Sequence, residues 1–138
     1  MRIMAIDYGD AHTGIAISDP TGLLAGFTTV INSCRQEVVV EQVTLLAKEH
    51  GAEELVLGHP VNMDGTLGPR SEKAKAMKAL LEEATALPVV LWDERRTTID
   101  AHNILFNSGK NAKQRKKVVD AVAASLILEG YLTFKKSH

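Results

Sequence analysis

The sequence predicts an α/β fold in which helices flank a five-stranded mixed sheet. Three observations carry this. The chain opens with three short apolar segments joined by turn-forming links. The hydrophobic period then alternates between helical spacing and compact apolar runs, in the order helix, strand, helix, strand. Helical stretches follow the last strand. Strands separated by helices favour parallel pairing with right-handed crossovers, whereas the opening three read as an antiparallel meander.

The first segment is Met1-Arg2-Ile3-Met4-Ala5-Ile6-Asp7-Tyr8-Gly9. Side chains alternate faces along a strand, so Ile3, Ala5 and Asp7 share one face and Met4 and Ile6 the other. The second strand is Thr13–Ser18, and the link between them suits a hairpin. Asp19-Pro20-Thr21-Gly22 is a turn in which proline presets one dihedral and glycine tolerates another. A third strand is expected over Ala25–Ile31, with Phe27, Thr29 and Ile31 on one face.

The period then changes. Val38, Val39, Gln42, Val43, Leu46 and Ala47 recur at helical spacing, and His50-Gly51 ends the run with a C-terminal glycine. Leu55-Val56-Leu57 centres a buried strand over 54–58. After the loop 59–66, Gly68-Pro69 opens a helix through Ala74, Met77, Leu80, Leu81 and Ala84, with proline where its missing N–H costs nothing. Val89-Val90-Leu91-Trp92 forms the last strand and leads into Asp93-Glu94-Arg95-Arg96. Thr97 or Thr98 caps a further helix that ends near Asn107-Ser108-Gly109. The final helix is expected over 114–134.

Length and composition set bounds. A chain of 138 residues with 45% hydrophobic residues suits one domain, 1–138, with a sizeable core. There is no apolar run of membrane-spanning length and no signal-peptide pattern, so a cytoplasmic protein without membrane contact is expected. One cysteine, Cys34, forms no internal disulfide, and the five histidines show no zinc-site spacing. The net charge of -1 does not announce a nucleic-acid binder, so that function would rest on local clustering. Neither the dinucleotide fingerprint nor a GxxxxGK[ST] phosphate loop is present.

Acids stand where apolar structure meets an edge. Asp7 ends the first strand. Asp93 and Glu94 end the last. Asp120 lies early in the final helix, on the stripe of Ala124, Ile127 and Tyr131 that should pack on the sheet. Carboxylates converging at one sheet end suit a hard divalent cation, which takes oxygen ligands and pairs with substrate phosphates. Each has a plainer reading: Asp7 begins a turn, Asp93 pairs with Arg95 or Arg96, and Asp120 pairs with Lys116 or Lys117. Lys110, Lys113, Arg115, Lys116 and Lys117 make five basic residues in eight, leading directly into the helix that carries Asp120. Such a run is usually a solvated face. Beside an acidic site it is also what an enzyme cutting a polyanion needs. Arg70, Lys73, Arg95 and Arg96 extend the patch. Tyr8 and Trp92 are the aromatics near the site, and Trp92 reads as core.

Four short motifs recur in order: Asp7-Tyr8-Gly9 with Gly14-Ile15-Ala16; Gly58-His59-Pro60 with Asn62-Met63-Asp64-Gly65, Gly68 and Arg70; Asp93-Glu94-Arg95 with Thr97 or Thr98 and Ala101; and Lys117 with Asp120, Ala123 and Ala124. Over essentially the whole chain this resembles the bacterial YqgF family, described as Holliday junction resolvase-like and as pre-16S rRNA nucleases. The resemblance implies an RNase H-like fold with strand order 3-2-1-4-5. It implies catalytic, metal-binding roles for Asp7, Glu94 and Asp120, with Mg²⁺ or Mn²⁺ as the cofactor. It also implies a metal-dependent endonuclease acting on structured RNA at the pre-16S rRNA end. The alternatives are a resolvase of branched DNA and a non-catalytic nucleic-acid-binding factor in transcription. Nucleic-acid contacts are expected from Arg70, Arg95, Lys110, Lys113, Arg115, Lys116 and Lys117, in a monomer or homodimer. Two departures stand out. His12 replaces a frequent arginine, and His59 a frequent leucine or phenylalanine.

Overall fold

The computed structural model describes residues 2–9, 12–19, 25–33, 35–59, 68–93 and 112–137; Ala25, Arg70 and positions 112–122, 136 and 137 are described by backbone alone. The elements run β1 (Arg2–Tyr8), β2 (Thr13–Ser18), β3 (Ala25–Ile31), α1 (Gln36–His50), β4 (Ala52–His59), α2 (Pro69–Thr85), β5 (Val89–Asp93) and α3 (Ala112–Ser137). The expected helix after Thr97 and the loop 60–67 lie outside the described residues. The final helix starts two residues earlier and ends three later than the apolar period suggests, because polar and basic turns extend it at both ends. Among the described residues no helix is long and apolar enough to cross a membrane.

The five strands form one sheet in the order β3-β2-β1-β4-β5. β1 pairs antiparallel with β2, and β2 with β3, as a meander of short links must. β1 pairs parallel with β4, and β4 with β5, each across a helical crossover. This is the mixed sheet and the strand order that the resemblance implies, and the fold is RNase H-like. β1 therefore lies at the centre, hydrogen-bonded on both sides.

The core has two layers, divided by the alternation of the strands. Met4, Ile6, Ile15, Ile17, Leu55 and Leu57 face α1 and α2, where Val39, Val43, Ala47, Ala74, Met77 and Leu81 meet them. Ile3, Ala5, Ala16 and Val56 face α3, which supplies Ala124, Ile127, Leu128, Tyr131 and Leu132. The apolar stripes of the first two helices are narrower than their sequences suggest. Gln42 on α1 and Leu80 and Ala84 on α2 are exposed, since a helix packed on a sheet buries little beyond one stripe. Phe27, on edge strand β3, is also exposed and stacks on His50 at 4.6 Å between ring centroids. Gly51 ends α1 in the left-handed region, at φ 70°, and its N–H bonds to the Ala47 carbonyl. Ala86 does the same after α2 at φ 59°, without glycine's freedom.

α3 is fixed to the sheet by a buried carboxylate. Glu54, at the start of β4, is 8% exposed. Its Oε1 accepts a hydrogen bond from the Tyr131 hydroxyl, and its Oε2 accepts one from Lys135 Nζ at 2.8 Å. Tyr131 in turn packs edge-on against Trp92, with ring centroids 5.9 Å apart. Gly130 lets the helix close on that indole, because a Cβ there would stand 3.2 Å from the Trp92 ring. Trp92 is core, as its sequence position suggests.

Candidate active site

The parallel strands β1, β4 and β5 all end at one edge of the sheet, where their last residues include Asp7, His59 and Asp93. Alternation decides which way each faces. Asp7 follows Ile3 and Ala5, so it faces the α3 layer. His59 follows Leu55 and Leu57 and faces the α2 layer, where its Nε2 lies 2.5 Å from the Oγ of fully buried Ser71. Asp93 follows Val89 and Leu91 and also belongs to the α2 side. The two acids therefore stand on opposite faces of the sheet. Glu94, the next residue, lies outside the described residues.

Asp7 is partly buried, and its carboxylate makes no hydrogen bond or ion pair among the described residues. Directly opposite it on β2 is Gly14. On β4, one step beyond the Ile6–Leu57 pair, is Gly58. The hairpin that follows is tight: the Gly9 N–H bonds to the His12 carbonyl at 3.0 Å, and a Cβ on Gly9 would stand 2.5 Å from that oxygen. The His12 ring nitrogen Nδ1 is buried and has no hydrogen-bond partner among the described residues.

The direction of α3 follows from its anchors. Tyr131 and Lys135 bind Glu54, and Glu54 is the register partner of Ile3. The later turns of α3 thus lie over the strand starts, and its earlier turns lead toward the strand ends. From Ile3 to Asp7 is four strand residues, or about 13 Å. From Tyr131 back to Asp120 is eleven helical residues, or about 16 Å. The backbone of position 120 therefore lies toward the edge that carries Asp7. The side chain of Asp120 is outside what the structure describes.

The basic positions divide in the same way. Lys113, Arg115, Lys116 and Lys117 occupy the first two turns of α3, and Arg70 the first turn of α2, by backbone alone. Lys110 and Arg95 lie outside the described residues. Among the described residues no three His, Cys, Asp or Glu side chains form a group able to hold a metal ion. A groove of about 530 Å³ between α1 and α2, lined by Val40, Leu45 and Leu80 with Glu37 and Glu41, lies on the far face from Asp7.

Reading the sequence alone passed over two contacts. Glu54 was legible only as a strand residue. Its signal is an acid on the same strand face as Val56, which should meet a helix donor. The His59–Ser71 contact gives the unusual His59 a partner in the first turn of α2.

The family model described as "RuvX: Holliday junction resolvase" matches residues 1–134. A Halothermothrix orenii protein named "Putative pre-16S rRNA nuclease" is 43% identical over 135 residues, 98% of this chain and 96% of its own. A Listeria innocua protein of the same name is 44% identical over 134 residues, 96% of this chain and 97% of its own. Among solved structures, Thermus thermophilus RuvC in complex with a Holliday junction substrate is similar with a TM-score of 0.62 at 14% identity, covering 99% of this chain and 96% of that one. The Fowlpox virus resolvase bound to Holliday junction DNA is similar with a TM-score of 0.56 at 11% identity, covering 99% and 98%. At those identities the likeness is one of fold.

Proposed function

The chain belongs to the RuvX family of Holliday junction resolvases, and from that premise we propose that it is a metal-dependent endonuclease hydrolysing phosphodiester bonds in structured nucleic acid. The observation that carries the reading is Asp7: a carboxylate at the end of the central strand, partly buried, without a protein partner among the described residues, and flanked by glycine on both neighbouring strands. An ionised acid so placed needs compensation. A hard cation supplies it, and the donor chemistry suits Mg²⁺ or Mn²⁺. Asp7, Glu94 and Asp120 would hold the ion, which when bound supplies an activated water and stabilises the leaving oxygen.

The other residues position the substrate. Lys110, Lys113, Arg115, Lys116 and Lys117, with Arg70 and Arg95, hold phosphates on either side of the scissile bond, and do so without reading sequence. Asp7 is the least replaceable acid because β1 is paired on both sides and cannot shift. Asp93, on the opposite face, has only a supporting role. The substrate favoured by the curated relatives' names is the precursor of 16S rRNA, cut in the cytoplasm during ribosome biogenesis. The family description favours branched DNA as the second reading.

The test is cleavage of labelled pre-16S rRNA fragments, four-way DNA junctions and single-stranded controls, with Mg²⁺, Mn²⁺ or chelator, by the parent and by Asp7→Asn. Cleavage of the rRNA fragment that needs metal and is lost in Asp7→Asn supports the reading. Junction cleavage with the same dependence moves the substrate to DNA. Tight binding with no metal-dependent cleavage of any substrate would make the protein a binding factor.

A further inference from the structure

We infer that His59 is a further substrate-binding residue: the buried Ser71 hydroxyl fixes its ring tautomer, so that Nδ1–H stands at the strand-end edge as an uncharged donor to a phosphate oxygen of the nucleic acid. The inference rests on the reading of the chain as a nuclease and adds one residue to its substrate contacts.

Ser71 is the third residue of α2 and 0% exposed. Its backbone N–H bonds to the Gly68 carbonyl at 3.0 Å. Its hydroxyl makes one hydrogen bond among the described residues, to His59 Nε2 at 2.5 Å. A hydroxyl out of reach of water needs an acceptor for its proton, and an unmet one is costly. Nε2 is the acceptor present, so Ser71 donates and Nε2 holds no proton. A neutral imidazole carries one proton, and the bond made by one nitrogen settles what the other holds. The proton is therefore on Nδ1.

Nδ1 is bonded to the ring carbon nearest the backbone, so this N–H lies by the end of β4. The ring is partly buried, and Nδ1 makes no hydrogen bond among the described residues. Asp93, the register partner of His59 on β5, has a partner of its own and makes no hydrogen bond to the ring. On the other side His59 stands two steps beyond the Ile6–Leu57 pair, beside the end of β1 that carries Asp7. Neighbouring strands are roughly 4.8 Å apart, so a polynucleotide with one phosphate at Asp7 crosses the edge within reach of His59. Arg70 precedes Ser71 in the same turn of α2, by backbone. An N–H donor there fixes the position of a phosphate without reading bases. It also differs from lysine and arginine in one measurable way. A neutral donor displaces no counterion, so it adds affinity without salt dependence.

The experiment uses the full chain as parent, His59→Leu, Ser71→Ala and Arg70→Ala, at matched folded concentration. The probes are the labelled pre-16S rRNA fragment and the four-way DNA junction, bound over a salt series with chelator present. Nitrogen-15 NMR of the parent reports which ring nitrogen of His59 carries the proton. We expect that proton on Nδ1. We expect His59→Leu to bind about tenfold more weakly, the loss of one hydrogen bond to a charged acceptor, with the log–log salt slope unchanged. Ser71→Ala keeps the ring without its fixed tautomer and should lose less. Arg70→Ala should lower the slope by roughly one. A parent ring protonated on Nε2 would overturn the inference. So would His59→Leu binding as the parent does, which would leave Nδ1–H to water or to Asp93. A slope lowered by roughly one in His59→Leu would show a charged contact, made by His59 or through Arg70, and would overturn it as well. A parent that neither binds the probes nor cuts them with Mg²⁺ or Mn²⁺ would remove the nuclease reading itself.

Discussion

Replacing Tyr131 by phenylalanine isolates one hydrogen bond whose energetic setting is well defined. The ring is 6% exposed and packed on Trp92, so the variant keeps its apolar contacts. What disappears is the donor to Glu54, which at 8% exposure cannot turn to water and, among the described residues, retains Lys135 alone. Hydrogen bonds to charged groups contribute about 1.5–3 kcal/mol, and the loss here should be about 2 kcal/mol at pH 7. With an unfolding entropy of roughly 2.1 cal/mol/K per residue over 138 residues, that lowers the melting temperature by about 7 °C. The pH dependence gives a second, independent reading. Burial, then the hydrogen bond and the negative charge of Glu54, push the Tyr131 phenol above its ordinary range. A group whose folded pKa is raised contributes stability in full below its unfolded value, about 10, and loses it as pH rises toward the folded one. The parent should therefore lose up to about 1.4 kcal/mol per pH unit above pH 10 from this group, a slope that Tyr131→Phe lacks. Urea titrations of both proteins between pH 7 and 11, taken as differences so that other lysines and tyrosines cancel, measure it. A constant difference across that range, or a loss below 0.5 kcal/mol at pH 7, would refute the account of Glu54 as a buried anchor for α3.

Ala86→Gly should stabilise the protein by about 1 kcal/mol, because a non-glycine residue at φ 59° carries left-handed strain; thermal melts check it. Leu81→Ala should cost about 2–5 kcal/mol and Leu80→Ala under 1 kcal/mol, since the first is fully buried and the second 37% exposed, and a pair of urea titrations decides. Ser71→Ala should cost about 1 kcal/mol by removing the partner of His59, and His59→Leu in the same background should cost little more, a non-additivity read from a double-mutant cycle. Alanine at Lys113, Arg115, Lys116 and Lys117 together should weaken nucleic-acid binding across sequences, each lost phosphate contact lowering the log–log salt slope by roughly one, as filter binding over a salt series would show.

Strand alternation was legible because both faces of β1 are apolar up to Asp7. Reading Ile3, Ala5 and Asp7 apart from Met4 and Ile6 assigns the two core layers correctly. The meander was legible from link length alone. Helix width was not: Leu80 and Ala84 have the spacing of a core stripe, yet α2 turns them outward beside α1. A single helix does not reveal how much of its apolar arc a neighbour will cover. The opposite facing of Asp7 and Asp93 depends on the register between β4 and β5, a long-range property. Glu54 was obscured because its partners Tyr131 and Lys135 lie far along the chain.

The place of β1 in the sheet also governs the order in which the protein can be completed as it is made. Its antiparallel neighbour β2 follows within a few residues, so the first hairpin can pair as soon as both have left the ribosome. Its parallel neighbour β4 must wait for α1, and until Leu55, Val56 and Leu57 arrive one edge of β1 is open. The wait is longer for one face. Ile3 and Ala5 are covered by Ala124, Ile127 and Leu128, so through most of synthesis an apolar strand surface stands bare with Asp7 at its end. A nascent chain in that state is prone to pair or aggregate with others. The carboxylate, in the finished fold a poor fit for an apolar layer, is during those seconds the one charge that this strand face presents to water.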